Sequence, residues 1–170
     1  APAHTHHKAD SAGNECIGCH MPMTEFARMR RSDHSMRPPT PATTLLYNSP
    51  NACNLCHTNK DAAWSDKFVR EWRKRDYQKP VLERAALIAA ARKQDWKRPP
   101  DILAYLSRTN RAEIQAVSLI RLLANCPAEE QWPVLRSLLS DPSPLVRASA
   151  ADALGQRLDP PNTAALCKAA

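Results

Sequence analysis

The pentapeptide Cys-Ile-Gly-Cys-His at residues 16–20 and its counterpart Cys-Asn-Leu-Cys-His at residues 53–57 decide how this chain can fold. Cys-x-x-Cys-His is the attachment signature of c-type haem. The two-residue gap lets both thiols reach the vinyl groups on one edge of a porphyrin, and the imidazole that follows binds the iron. We therefore predict two covalently bound haem c groups. The predicted residues are Cys16, Cys19, Cys53 and Cys56 for the thioether bonds, with His20 and His57 as proximal iron ligands.

Two Cys-x-x-Cys pairs could instead hold one zinc ion through four thiolates. That alternative leaves the repeated histidine unexplained. The gap between Cys19 and Cys53 is also 33 residues, whereas a ribbon-type zinc site has about 15–20. A thioredoxin-like redox pair would need a surrounding βαβ pattern, which neither motif has. The repeated histidine favours haem.

The first sixty residues contain only ten large apolar side chains and four helix-breaking prolines near the second motif. Such a segment is typical of a disordered chain unless a cofactor supplies the missing apolar surface. Two haem plates would do so. We therefore interpret residues 1–60 as a loop-rich dihaem cytochrome c segment.

The chain carries a net charge of +7. Haem propionates would add negative charge, and a group of arginines near the motifs is placed in sequence to pair with them. No nucleic-acid recognition motif accompanies the basic charge, so a nucleic-acid partner is not expected. No run of transmembrane length and no signal peptide is visible. Haem attachment to such motifs takes place outside the cytoplasm, so we expect a periplasmic or extracellular protein. The arginines that could pair with the haem propionates are Arg28, Arg30, Arg31 and Arg37.

An aromatic stripe follows the second motif, with Trp64, Phe68 and Trp72 spaced at i, i+4 and i+8. This spacing places the three rings on one face of a helix, and charged residues occupy the other face. We predict an amphipathic connecting helix within residues 61–80. Its aromatic face either closes over the second haem or docks the next helix.

Residues 81–170 repeat with a period of 31, which indicates a solenoid of helix pairs. Second helices are predicted within 141–155, 114–123 and 83–91, and first helices within 100–107 and 132–139. The Asp-Pro turn, Val-Arg and Ala-Ala-x-Ala-Leu face of the last one resemble a HEAT-type repeat. The predicted fold class is therefore mostly α, with a loop-rich dihaem segment followed by HEAT-like helix pairs. The sequence stops inside a further first helix, so we expect the natural chain to continue.

The sixth iron ligands must come from the remaining histidines or from methionine, which would raise the potential. Four histidines remain outside the motifs, and all precede the second motif. We predict His34 and His7 as distal iron ligands, with His4 and His6 as alternatives.

The residues around the motifs resemble a known family. Cys-x-x-Cys-His-Met-Pro at 16–22, Asp33-His34, and Thr-Asn-Lys-Asp-Ala-Ala at 58–63 after the second motif are similar to the last two haem motifs of cytochromes related to pentahaem nitrite reductase. Tetrahaem-type periplasmic cytochromes with helical repeats are more similar still, and the run His4-Thr5-His6-His7 fits that group. The resemblance covers residues 4–72.

In that pattern the histidine upstream of the first motif ligates the haem of the second. The resemblance therefore implies that His7, or a neighbour, ligates the iron on Cys53 and Cys56. It also implies that His34 would ligate a haem attached earlier in the chain, and no earlier motif is present. Either His34 turns back onto the haem of Cys16 and Cys19, or it reaches a haem outside this sequence.

We predict electron transfer between redox partners, with the helical repeats serving docking or assembly. Bis-histidine ligation leaves no open iron position, so the chain is expected to be an electron carrier and not an enzyme, with no catalytic residue. One alternative, suggested by the resemblance, is a component of a multihaem reductase of small nitrogen oxyanions. Another is a structural subunit of a cytochrome filament or complex. The expected partners are redox proteins or other haem subunits in a larger assembly.

Overall fold

The computed structural model describes residues 2–157 and 159–169, with Phe26 described by its backbone alone. The chain divides into two compact units, residues 1–82 and residues 83–170. Within the described residues almost all regular structure is helical, and a single two-stranded hairpin is the exception. The prediction of a mostly α fold is confirmed.

The first unit consists of short helices joined by loops and one hairpin. In chain order its elements are α1 (Pro2–Thr5), a 3-10 turn (Ala12–Asn14), α2 (Cys16–His20), β1 (Met23–Phe26), β2 (Met29–Ser32), α3 (Pro41–Tyr47), α4 (Ala52–Cys56) and α5 (Ala62–Glu71). The first Cys-x-x-Cys-His motif forms the one-turn helix α2. The second motif occupies most of the one-turn helix α4, and its histidine, His57, directly follows that helix. The short helices start at recognisable signals, because Pro41 begins α3 and the Asn51 and Asp61 side chains cap α4 and α5.

The hairpin was not predicted. Strands β1 and β2 pair antiparallel, with Met23 opposite Ser32 and Phe26 opposite Met29. The two turn residues, Ala27 and Arg28, both have positive φ, 48° and 64°. A two-residue turn of this kind matches the twist of the strands but normally uses Asn and Gly. The usual sequence signal is therefore missing here.

The first unit has little apolar interior of its own. Buried polar side chains hold its helices together: Gln78 is 1% exposed, and its amide accepts from the Ala42 N–H (3.0 Å) and donates to Asp66 (2.6 Å). Larger apolar side chains lie mainly on the surface, among them Ile17, Met29, Met36, Leu45, Leu46 and Leu55. This arrangement is the reverse of an ordinary apolar core. The interior of the unit contains a cavity instead.

The second unit is a stack of helix pairs. Its helices are α6 (Lys79–Arg92), α7 (Pro99–Leu106), α8 (Glu113–Leu123), α9 (Gln131–Ser137, extended by a 3-10 turn over Leu138–Ser140), α10 (Pro144–Gly155) and α11 (Pro160–Ala169). Each predicted first or second helix overlaps one of these. The apolar face of every pair is buried, with Leu106, Leu119, Leu135, Ala150 and Leu154 fully inaccessible.

Consecutive repeats are joined by polar contacts between residues about one repeat apart. The Arg111 guanidinium pairs with Asp141, thirty residues on, and both side chains are largely buried, at 9% and 7% exposure. The Ser143 hydroxyl donates to Glu113 at the same separation. Both contacts span 30 residues, which is close to the 31-residue period found in the sequence. Among the described residues no helix combines the length and hydrophobicity that a membrane span requires.

Candidate haem-binding site

A cavity of about 540 Å³ lies inside the first unit, between the two motifs and α5. Both motifs reach it with their cysteines and their histidines. The other walls come from the N-terminal residues, from Pro38 and Pro39, and from one face of α5. The lining side chains that matter most here are His4, His7, Cys16, Cys19, His20, Cys53, Cys56, His57, Trp64, Phe68, Trp72, Arg73 and Tyr77.

The four motif thiols surround this cavity as free cysteines. Burial raises the pKa of the Cys19 thiol, and the neighbouring Cys56 and Cys16 thiols raise it further. Burial also raises the pKa of Cys53, with Cys19 acting in the same direction. The two motifs are therefore close enough for their sulfurs to interact. In the part of the chain that the structure describes, no three Cys, His, Asp or Glu residues are grouped to hold a metal ion.

His4 faces the first motif histidine across the cavity. The ring centroids of His4 and His20 are 6.2 Å apart, and the ring planes differ by 23°. The positive charge of Arg73 lowers the pKa of His4, and burial and His20 act in the same direction. A lowered pKa keeps the imidazole neutral, which is the form that binds a metal.

His7 faces the second motif histidine in the same way. The ring centroids of His7 and His57 are 6.0 Å apart, with the planes tilted by 37°. The His7 Nδ1 atom lies 2.6 Å from the carbonyl oxygen of Thr5. Because a carbonyl can only accept, Nδ1 carries the hydrogen, and Nε2 is left with its lone pair free. This hydrogen bond selects the tautomer that a metal ligand needs.

Both separations suit an iron held between two imidazoles. A metal–nitrogen bond of about 2 Å on each side, plus roughly 1 Å from each nitrogen to its ring centre, gives about 6 Å between centroids. The two histidine pairs, each with two nearby thiols, therefore fit two haem groups by donor type and by spacing. The first unit exposes large apolar side chains and buries few of them, as expected for a unit whose interior is completed by a bound apolar cofactor.

The other two spare histidines lie elsewhere. His34 is exposed, and its Nδ1 atom is 2.9 Å from the Ser32 carbonyl at the end of β2. His6 stacks on Trp72, with centroids 4.4 Å apart and planes within 13°. Neither belongs to the described residues that line the cavity. The prediction that they ligate iron is not tested by these positions alone.

The aromatic stripe of α5 forms one wall of the cavity. The ring centroids of Trp64 and His57 are 4.9 Å apart. Along the stripe, the ring centroids are 4.8 Å apart between Trp64 and Phe68 and 5.8 Å apart between Phe68 and Trp72. Of the two roles predicted for this stripe, its position favours covering the second haem. The side chain of Asn54, inside the second motif, accepts from the Ser65 hydroxyl (3.1 Å) and thereby fastens the motif to α5.

Three further residues at the site lacked a clear sequence signal. Arg73 lines the cavity and donates to the His4 carbonyl at 3.1 Å, whereas Arg28, Arg30 and Arg31 lie exposed on the hairpin. Tyr77 donates to the Pro39 carbonyl, and burial raises its pKa to about 12.

The third is Gly13, which packs against the ring of His7. A Cβ atom added to Gly13 would lie 2.8 Å from His7 Nε2 and nearer still to Cγ and Cδ2. Only glycine leaves the space in which the His7 ring sits. Glycine before a motif is too common for sequence alone to reveal this role.

Comparison with known families gives two matches. The family model described as Cytochrome c552 matches residues 3–110, and the model described as HEAT repeats matches residues 99–170. The predicted union of a multihaem cytochrome segment with HEAT-like repeats is confirmed. No curated protein and no solved structure matches the chain.

Proposed function

Because this chain belongs to the cytochrome c552 family of multihaem c-type cytochromes, we propose that it binds two haem c groups, both with bis-histidine ligation, and relays electrons between them. The family supports electron transfer by covalently bound haem c. The number of haems, their ligation and the role of the repeats are our proposal. The observation that carries it is the pair of histidine couples at 6.2 Å and 6.0 Å across one cavity.

The expectation that the chain is not an enzyme is wrong as a statement about its class. The cytochrome c552 family is that of nitrite reductase, an enzyme family. Electron transfer is therefore proposed as a role within an enzyme family, and it does not argue that the chain is not an enzyme.

We assign the ligands by proximity. The first haem would be held by Cys16 and Cys19, with His20 and His4 as axial ligands. His4 takes the place that sequence reasoning assigned to His34, because His4 lies opposite His20 and His34 lies outside the described cavity wall.

The second haem would be held by Cys53 and Cys56, with His57 and His7 as axial ligands. His7 was predicted for this position, and its Nδ1 hydrogen bond to the Thr5 carbonyl orients Nε2 as the donor.

When bound, haem supplies one-electron redox chemistry. The chain's own residues would set how that chemistry is used. Two imidazoles holding each iron would leave no position for a substrate, which would suit electron relay more than substrate binding. Trp64, Phe68 and Trp72 would shield one side of the cavity from water, which tunes the potential through burial.

Family membership favours a second, related role. The dihaem unit would be a component of a reductase of small nitrogen oxyanions, passing electrons toward a reactive iron outside the two assigned sites. We further propose that the HEAT-like helices dock a redox partner or another subunit. Haem attachment of this type supports a location in the periplasm or outside the cell.

The experiment is a haem count on the holoprotein, by intact mass and by quantifying haem iron per chain, with carbon monoxide added to the reduced form. The proposal predicts two covalent haems per chain and no carbon monoxide binding. One haem, no haem, or carbon monoxide bound by the parent protein would contradict it.

A further inference from the structure

The two proposed distal ligands belong to one short segment, residues 2–7, which we call the distal segment. On the basis of the proposed bis-histidine ligation, we infer that Trp72 and Arg73, at the end of α5, are positioning residues that anchor this segment and so hold the distal ligands of both irons at once. His6, in this inference, is an anchor and not a ligand.

The distal segment cannot hold its own shape. Helix α1 has only four residues and none of them is buried. A single helical turn is unstable in isolation, because nucleation costs more than one turn returns. The positions of His4 and His7 therefore depend on what the segment touches.

Two consecutive residues that directly follow α5, Trp72 and Arg73, contact the distal segment. The Arg73 guanidinium donates to the His4 carbonyl at 3.1 Å. Trp72 stacks face to face on His6 at 4.4 Å and meets His7 edge-on at 6.3 Å and 78°. One polar contact thus holds the backbone at His4, and two aromatic contacts hold the rings of His6 and His7.

The backbone explains how neighbouring histidines reach different partners. His6 has a positive φ of 55°, and its N–H donates to the Pro2 carbonyl at 2.7 Å. A histidine in the left-handed region is uncommon, and it ends the turn of α1 abruptly. His4 then faces His20, His6 lies on Trp72, and His7 faces His57.

A second set of contacts ties the segment to the 3-10 turn that precedes the first motif. The Thr5 hydroxyl donates to the Asn14 side chain at 2.8 Å, and Gly13 lies directly against the His7 ring. The Thr5 contact holds the segment as a whole, whereas the Gly13 contact acts on the His7 ring. Loosening the anchor should therefore free both irons together, whereas removing one histidine should free only one.

The test is carbon monoxide stoichiometry of the reduced holoprotein, a direct count of irons with an open axial position. We expect no binding in the parent protein, one carbon monoxide per chain in His7→Ala, and two per chain in the double variant Trp72→Ala/Arg73→Ala. The single variant Trp72→Phe keeps a ring to stack on His6, so, like the parent protein, it should bind no carbon monoxide. Arg75→Ala, an exposed arginine two residues farther along, is the matched control and should bind none.

The outcomes separate the ligation from the anchor. Carbon monoxide bound by the parent protein would overturn the proposed ligation itself. A parent protein that binds none, with a double variant that gains one site or no site, would overturn the shared anchor alone. If the double variant does not fold, Arg73→Ala and Trp72→Leu decide by the same count, since each should raise binding at both irons in parallel.

Discussion

The imidazole rings of His4 and His20 face each other with their centroids 6.2 Å apart and their planes only 23° apart. Sixteen positions separate them in the sequence, and no periodic pattern joins them. A separation of about 6 Å between ring centroids is compatible with two imidazoles sharing one metal ion. Under the proposed ligation, this pair makes His4, and not His34, the second imidazole ligand of the first iron.

Replacing His4 tests that assignment. His4→Ala should leave the first iron with an open axial position, so about half of the haem should become high-spin and one carbon monoxide should bind per chain. Ultraviolet–visible spectroscopy of the reduced protein measures both. His34→Ala is the control and should leave the spectrum unchanged. The reverse pattern would return the ligand role to His34.

Gly13→Ala tests the space around His7. The added methyl group would overlap the imidazole ring, so we expect His7 to move and the second iron to bind carbon monoxide, with the first iron unaffected. Gly155→Ala is the matched control, because nothing lies within 4 Å of a Cβ there. Alanine in a helix is favoured over glycine by about 0.5–1 kcal/mol, so that variant should be slightly more stable. An unchanged spectrum in Gly13→Ala would contradict the close packing of Gly13 against the His7 ring.

Tyr77 gives a pH-dependent prediction. Burial raises its pKa to about 12 from the ordinary 10. The folded protein then keeps the phenol protonated where the unfolded chain ionises it, so its contribution to stability is complete below pH 10 and is lost as the pH rises toward 12. Urea unfolding between pH 8 and 12 should show this loss.

Tyr77→Phe should remove that alkaline dependence and lower the free energy of unfolding by about 1 kcal/mol at neutral pH, because the hydrogen bond to the Pro39 carbonyl disappears. Tyr47→Phe, at an exposed position, is the control and should keep the parental dependence on pH. Equal slopes in the Tyr77→Phe variant and the parent would show that another group is responsible.

The buried ion pair of the helical repeats should matter to stability. Asp141→Ala leaves the Arg111 guanidinium buried without its partner, which typically costs about 3–5 kcal/mol. Asp101→Ala breaks an exposed pair with Arg98 and should cost about 0–1 kcal/mol. Chemical unfolding followed by far-ultraviolet circular dichroism compares the two. Similar losses in both variants would remove the case for a stabilising link between repeats.

Much of this fold follows from local patterns in the sequence. The motifs at Cys16 and Cys53 carry their chemistry in their spacing, and the 31-residue period places the helices of the second unit within a few residues. The aromatic stripe from Trp64 to Trp72 indicates its helix correctly, because that signal depends only on neighbours along the chain.

The remaining features depend on the chain's path in three dimensions. The hairpin turns at Ala27 and Arg28, which both have positive φ although they are not the Asn and Gly residues that normally occupy such a turn. His4 lies opposite His20, and the carbonyl of His4 accepts a hydrogen bond from Arg73, 69 positions farther along the chain. Such pairings follow from how α1 meets α5, which no local pattern encodes.

The central claim is that each of two irons is held by two imidazoles. Near-infrared magnetic circular dichroism of the oxidised holoprotein tests it most directly, because the charge-transfer band of low-spin ferric haem separates bis-histidine from histidine–methionine ligation. We predict two bis-histidine haems per chain and no high-spin component. A histidine–methionine band, or a high-spin haem in the parent protein, would contradict the claim.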